Sequence, residues 1–182
     1  MSDALMTVRG LVKHYPIRKG FPIQRTVATV KAVDGIDLDI FPGQTMGLVG
    51  ESGSGKSTTA RLITKLIEPT AGEITWQGED IAGYSRAQMK PLRREMQMIF
   101  QDPYSSLNPR MTLLQIVGEP LTVNKVCEGR ELEDRVADLL RTVGLRPGYM
   151  RRYPHAFSGG QRQRIGIARA LALNPRFIVA DE

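Results

Sequence analysis

The residues with the most specific chemistry are Gly50-Glu51-Ser52-Gly53-Ser54-Gly55-Lys56-Ser57, which fit the spacing G-x-x-x-x-G-K-[ST]. Glycines at these positions let successive backbone N–H groups turn inward around phosphate oxygens, and a helix N-terminus that follows adds its positive end. Lys56 is placed to reach the β and γ phosphates, and the Ser57 hydroxyl to ligate Mg²⁺. Hydrolysis needs more than a phosphate loop: a carboxylate that positions the metal and a group that activates water. The run Phe177-Ile178-Val179-Ala180-Asp181-Glu182 offers both, because an apolar strand would carry two acids out at its carboxyl end, where open parallel sheets place ligand chemistry. Asp181 is the candidate for the Mg²⁺ shell and Glu182 for polarising the attacking water.

These residues need a scaffold, and the hydrophobic pattern predicts one. TMGLVG, at 45–50, is a short apolar run expected as a parallel strand covered on both faces, and Ser57 to Ile67 is expected as a helix that Pro69 stops. Upstream, LMTVRGLV and ATVKAVDGIDLDIF predict strands, with KHYPIRKGFPIQRT between them as a loop or loose hairpin. GEITWQGEDI and MQMIFQD predict a strand with a turn and a strand ending near Gln101. From there to about Pro154 the texture is helical, with Leu132, Val136, Leu139, Leu140 and Val143 on one face and Gly144 able to end that helix. A helix from about Gln161 to Leu173 and the strand Phe177 to Ala180 complete the chain.

Composition sets outer bounds. At 182 residues, with 41% hydrophobic and 24% charged residues, the chain suits a folded globular domain rather than a disordered or collagen-like one. Its net charge of +6 suits a polyanionic ligand, an anionic lipid surface or a solvated basic face without choosing among them. The single Cys127 excludes an internal disulfide and a cysteine-cluster metal site, and neither His14 nor His155 has a partner at metal-ligand spacing. Charged or turn residues interrupt every apolar run before membrane-spanning length, so any membrane role is expected to be peripheral and through a partner.

Taken in order, the phosphate loop, Gln101, Phe157-Ser158-Gly159-Gly160-Gln161 and Asp181-Glu182 resemble the nucleotide-binding subunit of an ATP-binding cassette (ABC) transporter. FSGGQ is similar to that family's signature, with Phe157 in the usual Leu position. QDPYSSLNPRMT, from Gln101 to Thr112, and RRYPHAFSGGQRQRIGIARAL, from Arg151 to Leu171, resemble the ATPases of bacterial dipeptide and oligopeptide importers, of the second-ATPase type. The resemblance implies an α/β P-loop NTPase fold: a three-layer core of ABC type, an antiparallel β lobe and an inserted helical subdomain. In these terms residues 1–100 hold the β lobe and phosphate-loop core, 101–160 the segment after Gln101 and the helical subdomain, and 161–182 the signature helix and the Asp181 strand.

It also implies roles. ATP and Mg²⁺ would be the cofactors, held by Gly50 through Ser57 and Thr58, with Tyr15 stacking on adenine. Ser158, Gly159, Gly160 and Gln161 would contact the ATP of a homologous subunit packed head to tail. Gln101 would sense metal and attacking water, joining Lys56 and Glu182 in catalysis and Ser57 and Asp181 around the metal. The implied partners are that second ATPase, two transmembrane permease subunits and, indirectly, a periplasmic or extracellular binding protein, with the chain on the cytoplasmic side of the cell membrane. Nucleic acid is not an expected partner, because the basic residues lack interleaved stacking aromatics. Nickel, glutathione or another small solute is the alternative cargo, and a noncatalytic regulatory module that binds ATP is the alternative function. Measured against the family, the chain stops at Glu182, ahead of a further strand and histidine. It is therefore expected to be C-terminally incomplete, binding ATP-Mg²⁺ but impaired in hydrolysis.

Overall fold

The computed structural model describes residues 3–22, 25–102, 104 and 106–181. The chain separates into two compact units, Met1–Lys90 and Pro91–Glu182.

The first unit is built on a four-stranded antiparallel sheet in the order β2-β1-β3-β4. Strands β1 (Met6–Lys19) and β2 (Arg25–Ile40) form a long hairpin, β3 (Ala71–Trp76) pairs with β1, and β4 (Glu79–Asp80) closes the edge after a turn at Gln77 and Gly78. Alternation explains the base of the hairpin: Met6, Val8 and Leu11 on β1 and Ile74 on β3 have no exposed surface, while Arg9 and Glu73, opposite each other in the ladder, are exposed. Past Val12 the β1–β3 pairing stops and β1 runs on with β2 alone, the setting in which Pro16 is tolerated within a strand. Within the segment expected as a loop or loose hairpin, Lys13–Lys19 and Arg25–Thr26 form the arms of a hairpin whose ladder has register shifts. Its side chains are mostly exposed, so its order comes from backbone pairing that hydrophobic pattern does not reveal.

Two expectations for this unit need correction. No strand is formed at 45–50: the backbone from Gln44 to Ser52 is irregular apart from turns, and Leu48 and Val49 are 54% and 94% exposed. Apolar character does not make a strand without a neighbouring ladder to satisfy its N–H and C=O groups, and none of the described ladders includes these residues. Helix α1 spans Lys56–Ile63, starting one residue early and stopping short of Ile67. Lys65 adopts a positive φ of 52°, which ends the helix before Pro69 can. The Lys65 ammonium is buried, donating to Glu68 and to the carbonyl of Ala82.

The second unit places a helical lobe between two parallel strands. After α2 (Arg86–Leu92), which straddles the boundary, come β5 (Met96–Ile99) and then α3 (Leu113–Val123), α4 (Gly129–Thr142), α5 (Gly159–Leu171) and β6 (Phe177–Ala180). β5 and β6 pair in parallel, Met96 opposite Phe177 and Ile99 opposite Ala180, so all three long helices lie within one crossover connection. The faces predicted for α4 hold: Val136 and Leu140 are fully buried against Ile116, Val117 and Ile165. Gly144 stops α4 with φ 71°, its N–H donating to Arg141 and the Leu145 N–H to Leu140, at 2.9 and 2.8 Å.

Candidate functional site

The phosphate loop is shaped by its glycines and by its lysine. Gly55 precedes α1 with φ 94°, and a Cβ there would sit 2.3 Å from the Ala32 carbonyl oxygen on β2, so only glycine allows this approach. The Ser54 N–H donates to the Glu51 carbonyl at 3.1 Å, closing a tight turn. Lys56 Nζ folds over that turn, donating to the carbonyls of Gly50 and Glu51 at 2.7 and 2.8 Å. Ser57 and Thr58 occupy the second and third positions of α1.

This arrangement fits a bound polyphosphate. The first N–H groups of a helix have no acceptor within it, Gly55 offers them no capping side chain, and the first turn contains no acid to compete with an anion. Lys56 and the Ser57 and Thr58 hydroxyls stand at the same helix end, the donor set a nucleotide and its Mg²⁺ require. Tyr15 belongs to the same unit, and its ladder partner Val30 is close in sequence to Ala32, whose carbonyl Gly55 approaches. Tyr15 is 42% exposed, with the Lys13 ammonium 5.0 Å from its ring centroid.

In the second unit, parallel register brings two predicted residues together. Gln101 follows the end of β5 and Asp181 the end of β6, and the Asp181 N–H donates to the Ile99 carbonyl at 3.0 Å. Both therefore lie at the carboxyl edge of the β5–β6 pair, with Asp181 nearly buried and Gln101 exposed. Glu182 lies outside the described residues.

The signature is a helix cap. Ser158 is the N-cap of α5, its Oγ accepting from the Gln161 N–H at 3.4 Å while Gln161 Oε1 accepts from the Ser158 N–H at 3.1 Å. The helix accordingly begins at Gly159 rather than near Gln161, and Gly159 and Gly160 put backbone rather than side chains at its exposed start. Phe157 fills the helical core, 5% exposed and edge-on to Tyr149 with ring centroids 5.4 Å apart. Sequence reading missed Tyr104, whose ring lies under the Arg162 guanidinium at 4.2 Å and beside Gly159. A tyrosine in a polar loop gives no periodic signal; only the chain path shows what it meets.

Among the described residues no group of three His, Cys, Asp or Glu is placed to hold a metal, and no helix is long and apolar enough to cross a membrane. His14 pairs with Asp34 at 2.9 Å, and Lys31 with the same carboxylate at 3.0 Å.

A phosphate loop opening α1, with a parallel strand pair, an antiparallel sheet and a helical lobe, defines an α/β P-loop nucleotide-binding domain. Within that class the chain belongs to the ABC transporter family, whose model matches residues 33–182. It is 50% identical over 181 residues to the oligopeptide transport ATP-binding protein AppF of Bacillus subtilis, covering 99% of this chain and 55% of that protein. To OppF of the same organism it is 52% identical, covering 100% of this chain and 58% of that one. The glutathione import ATP-binding protein GsiA of Salmonella typhimurium is 52% identical, over 99% of this chain and 29% of its own length. The chain spans about half the length of the first of these curated relatives. Among solved structures, the ATP-binding cassette MJ0796, in a dimeric post-hydrolysis state bound to ADP and Pi, superposes with a TM-score of 0.85. The identity is 30%, covering 96% of this chain and 72% of that one. The Clostridium perfringens protein cbiO1, part of the ABC transporter complex cbiONQ, gives 0.76 at 27% identity, covering 100% and 66%.

Proposed function

We propose that this chain is the nucleotide-binding part of an ABC importer ATPase that couples ATP hydrolysis to uptake of dipeptides or oligopeptides. Its placement would be peripheral, on the cytoplasmic face of a membrane. The observation that carries the nucleotide reading is Lys56 bent over a glycine turn at the uncapped start of α1. There the loop amides and Lys56 bind and orient the phosphates, while Ser57 and Thr58 take the metal side. Mg²⁺, when bound, would neutralise phosphate charge. Gln101 and Asp181 take the metal and water side of the chemistry, Glu182 polarises the attacking water, and Tyr15 carries the adenine. Ser158, Gly159, Gly160 and Gln161 present the amides of α5 to the nucleotide of a homologous subunit packed head to tail. Two permease subunits and a substrate-binding protein complete the transporter.

Identity of 50% and 52% across nearly the whole chain to the two oligopeptide proteins, and of 52% to the glutathione protein, supports a small-peptide cargo. The test is uptake in cells whose own copy carries Lys56→Ala. Loss of labelled oligopeptide uptake with glutathione uptake intact is the expected result. The reverse pattern would assign glutathione, and unchanged uptake of both would refute a peptide or glutathione cargo.

A further inference from the structure

Two arginines of α5 reach back to the chain that follows Gln101. Arg169 Nη1 donates to the Ser106 carbonyl at 2.7 Å. Arg162, about two helical turns earlier on the same side, lays its guanidinium 4.2 Å from the Tyr104 ring centroid. The Arg162 Nε also donates to the Pro154 carbonyl at 2.9 Å, which ties the same side chain to the residues leading into Ser158. Local bonds stiffen the target: Asp102 Oδ1 accepts from the Tyr104 N–H at 2.8 Å, and the Asp102 carbonyl from the Ser106 N–H at 3.2 Å. Leu107, 2% exposed, then plugs into the helical core.

The electrostatics make Arg169 an expensive way to hold a loop. Burial pulls its guanidinium below the usual arginine range and the Glu119 carboxylate pushes it back up, yet arginine stays charged in proteins. A half-buried cation spent on one backbone carbonyl makes a directional, charge-assisted bond that an apolar side chain of similar length would not supply.

We infer that Arg169 and Arg162 are positioning residues that fasten the segment behind Gln101 to the helix capped by Ser158, so that displacement of α5 is carried to Gln101 instead of being absorbed in the loop. This rests on the roles proposed above for Gln101 and Ser158. The clamp spans both ends of one crossover connection: Gln101 leaves β5, α5 leads into β6, and Asp181 follows β6 at the same edge.

The first test is amide hydrogen exchange at Tyr104 and Ser106 in the 182-residue chain. Arg169→Ala should speed exchange there by about tenfold, the scale of one lost hydrogen bond to a charged group, and Arg169→Lys should restore most of it. Amides of α4 report whether the fold survives; faster exchange at Tyr104 and Ser106 with α4 unchanged is the expected pattern. The second test is ATP hydrolysis by the assembled transporter, where Arg169→Ala should lower kcat by about tenfold at unchanged KM for ATP, with recovery in Arg169→Lys. Unchanged exchange, or kcat and KM deteriorating together with no rescue by lysine, would overturn the clamp. Loss of the functional reading itself would show differently, as hydrolysis indifferent to Lys56→Ala.

Discussion

At the scale of single residues, backbone geometry and local charge make separate demands. Gly55 holds a positive φ with a β2 carbonyl where its Cβ would be, so Gly55→Ala strains the backbone and forces the loop away from Ala32. It should cost about 1–3 kcal/mol in urea unfolding and weaken nucleotide binding as well. Charge acts further along the hairpin. The Lys31 ammonium, then the His14 ring, hydrogen-bond the Asp34 carboxylate and hold its pKa below the usual carboxylate value. A group with a depressed folded pKa adds stability above its unfolded value of about 3.9, and that contribution disappears as pH falls through the lower folded value. Asp34→Asn should therefore narrow the stability lost on acidification, seen as a smaller drop in urea midpoint from pH 6 to about pH 2 than in the parent chain.

At the scale of elements, caps and buried faces do most of the specifying. Thr112 caps α3 in a reciprocal box with Gln115, and Thr112→Ala should lower unfolding free energy by about 1 kcal/mol. Leu140→Ala, at a fully buried position between α3 and α5, should cost about 2–5 kcal/mol by the same measurement. Elements with a periodic face were legible from sequence: α4 with its Gly144 stop, β3 with its turn, and the strands β5 and β6 that bring Gln101 and Asp181 to one edge. What stayed illegible depends on partners distant in sequence. The outer hairpin is ordered by ladder bonds between exposed residues, and apolar 45–50 lacks a ladder among the described residues. The serine and glutamine of the signature were visible as a motif, but their reciprocal cap, which moves the helix start to Gly159, shows only in the backbone. Tyr104 and its arginine partner lie 58 positions apart in the chain, a meeting that no local pattern encodes.

At the scale of the whole molecule, the chain divides the proposed chemistry between two compact units. The phosphate loop and Tyr15 stand in the first; Gln101, Asp181 and the Ser158 cap stand in the second. The loop residues proposed to cradle the phosphates, Gly50 through Thr58, all lie in the first unit, so nucleotide capture is the part of the account that this chain can be asked to perform alone. The most direct test is Mg²⁺-dependent ATP binding by the 182-residue chain, titrated beside its Lys56→Ala variant with folding of both verified by circular dichroism. Saturable binding that needs Mg²⁺ and weakens by at least about tenfold in the variant is predicted, since Lys56 is proposed to give the phosphates a charged donor. Equal binding by both folded proteins, or none by the parent, would contradict a nucleotide site at this loop.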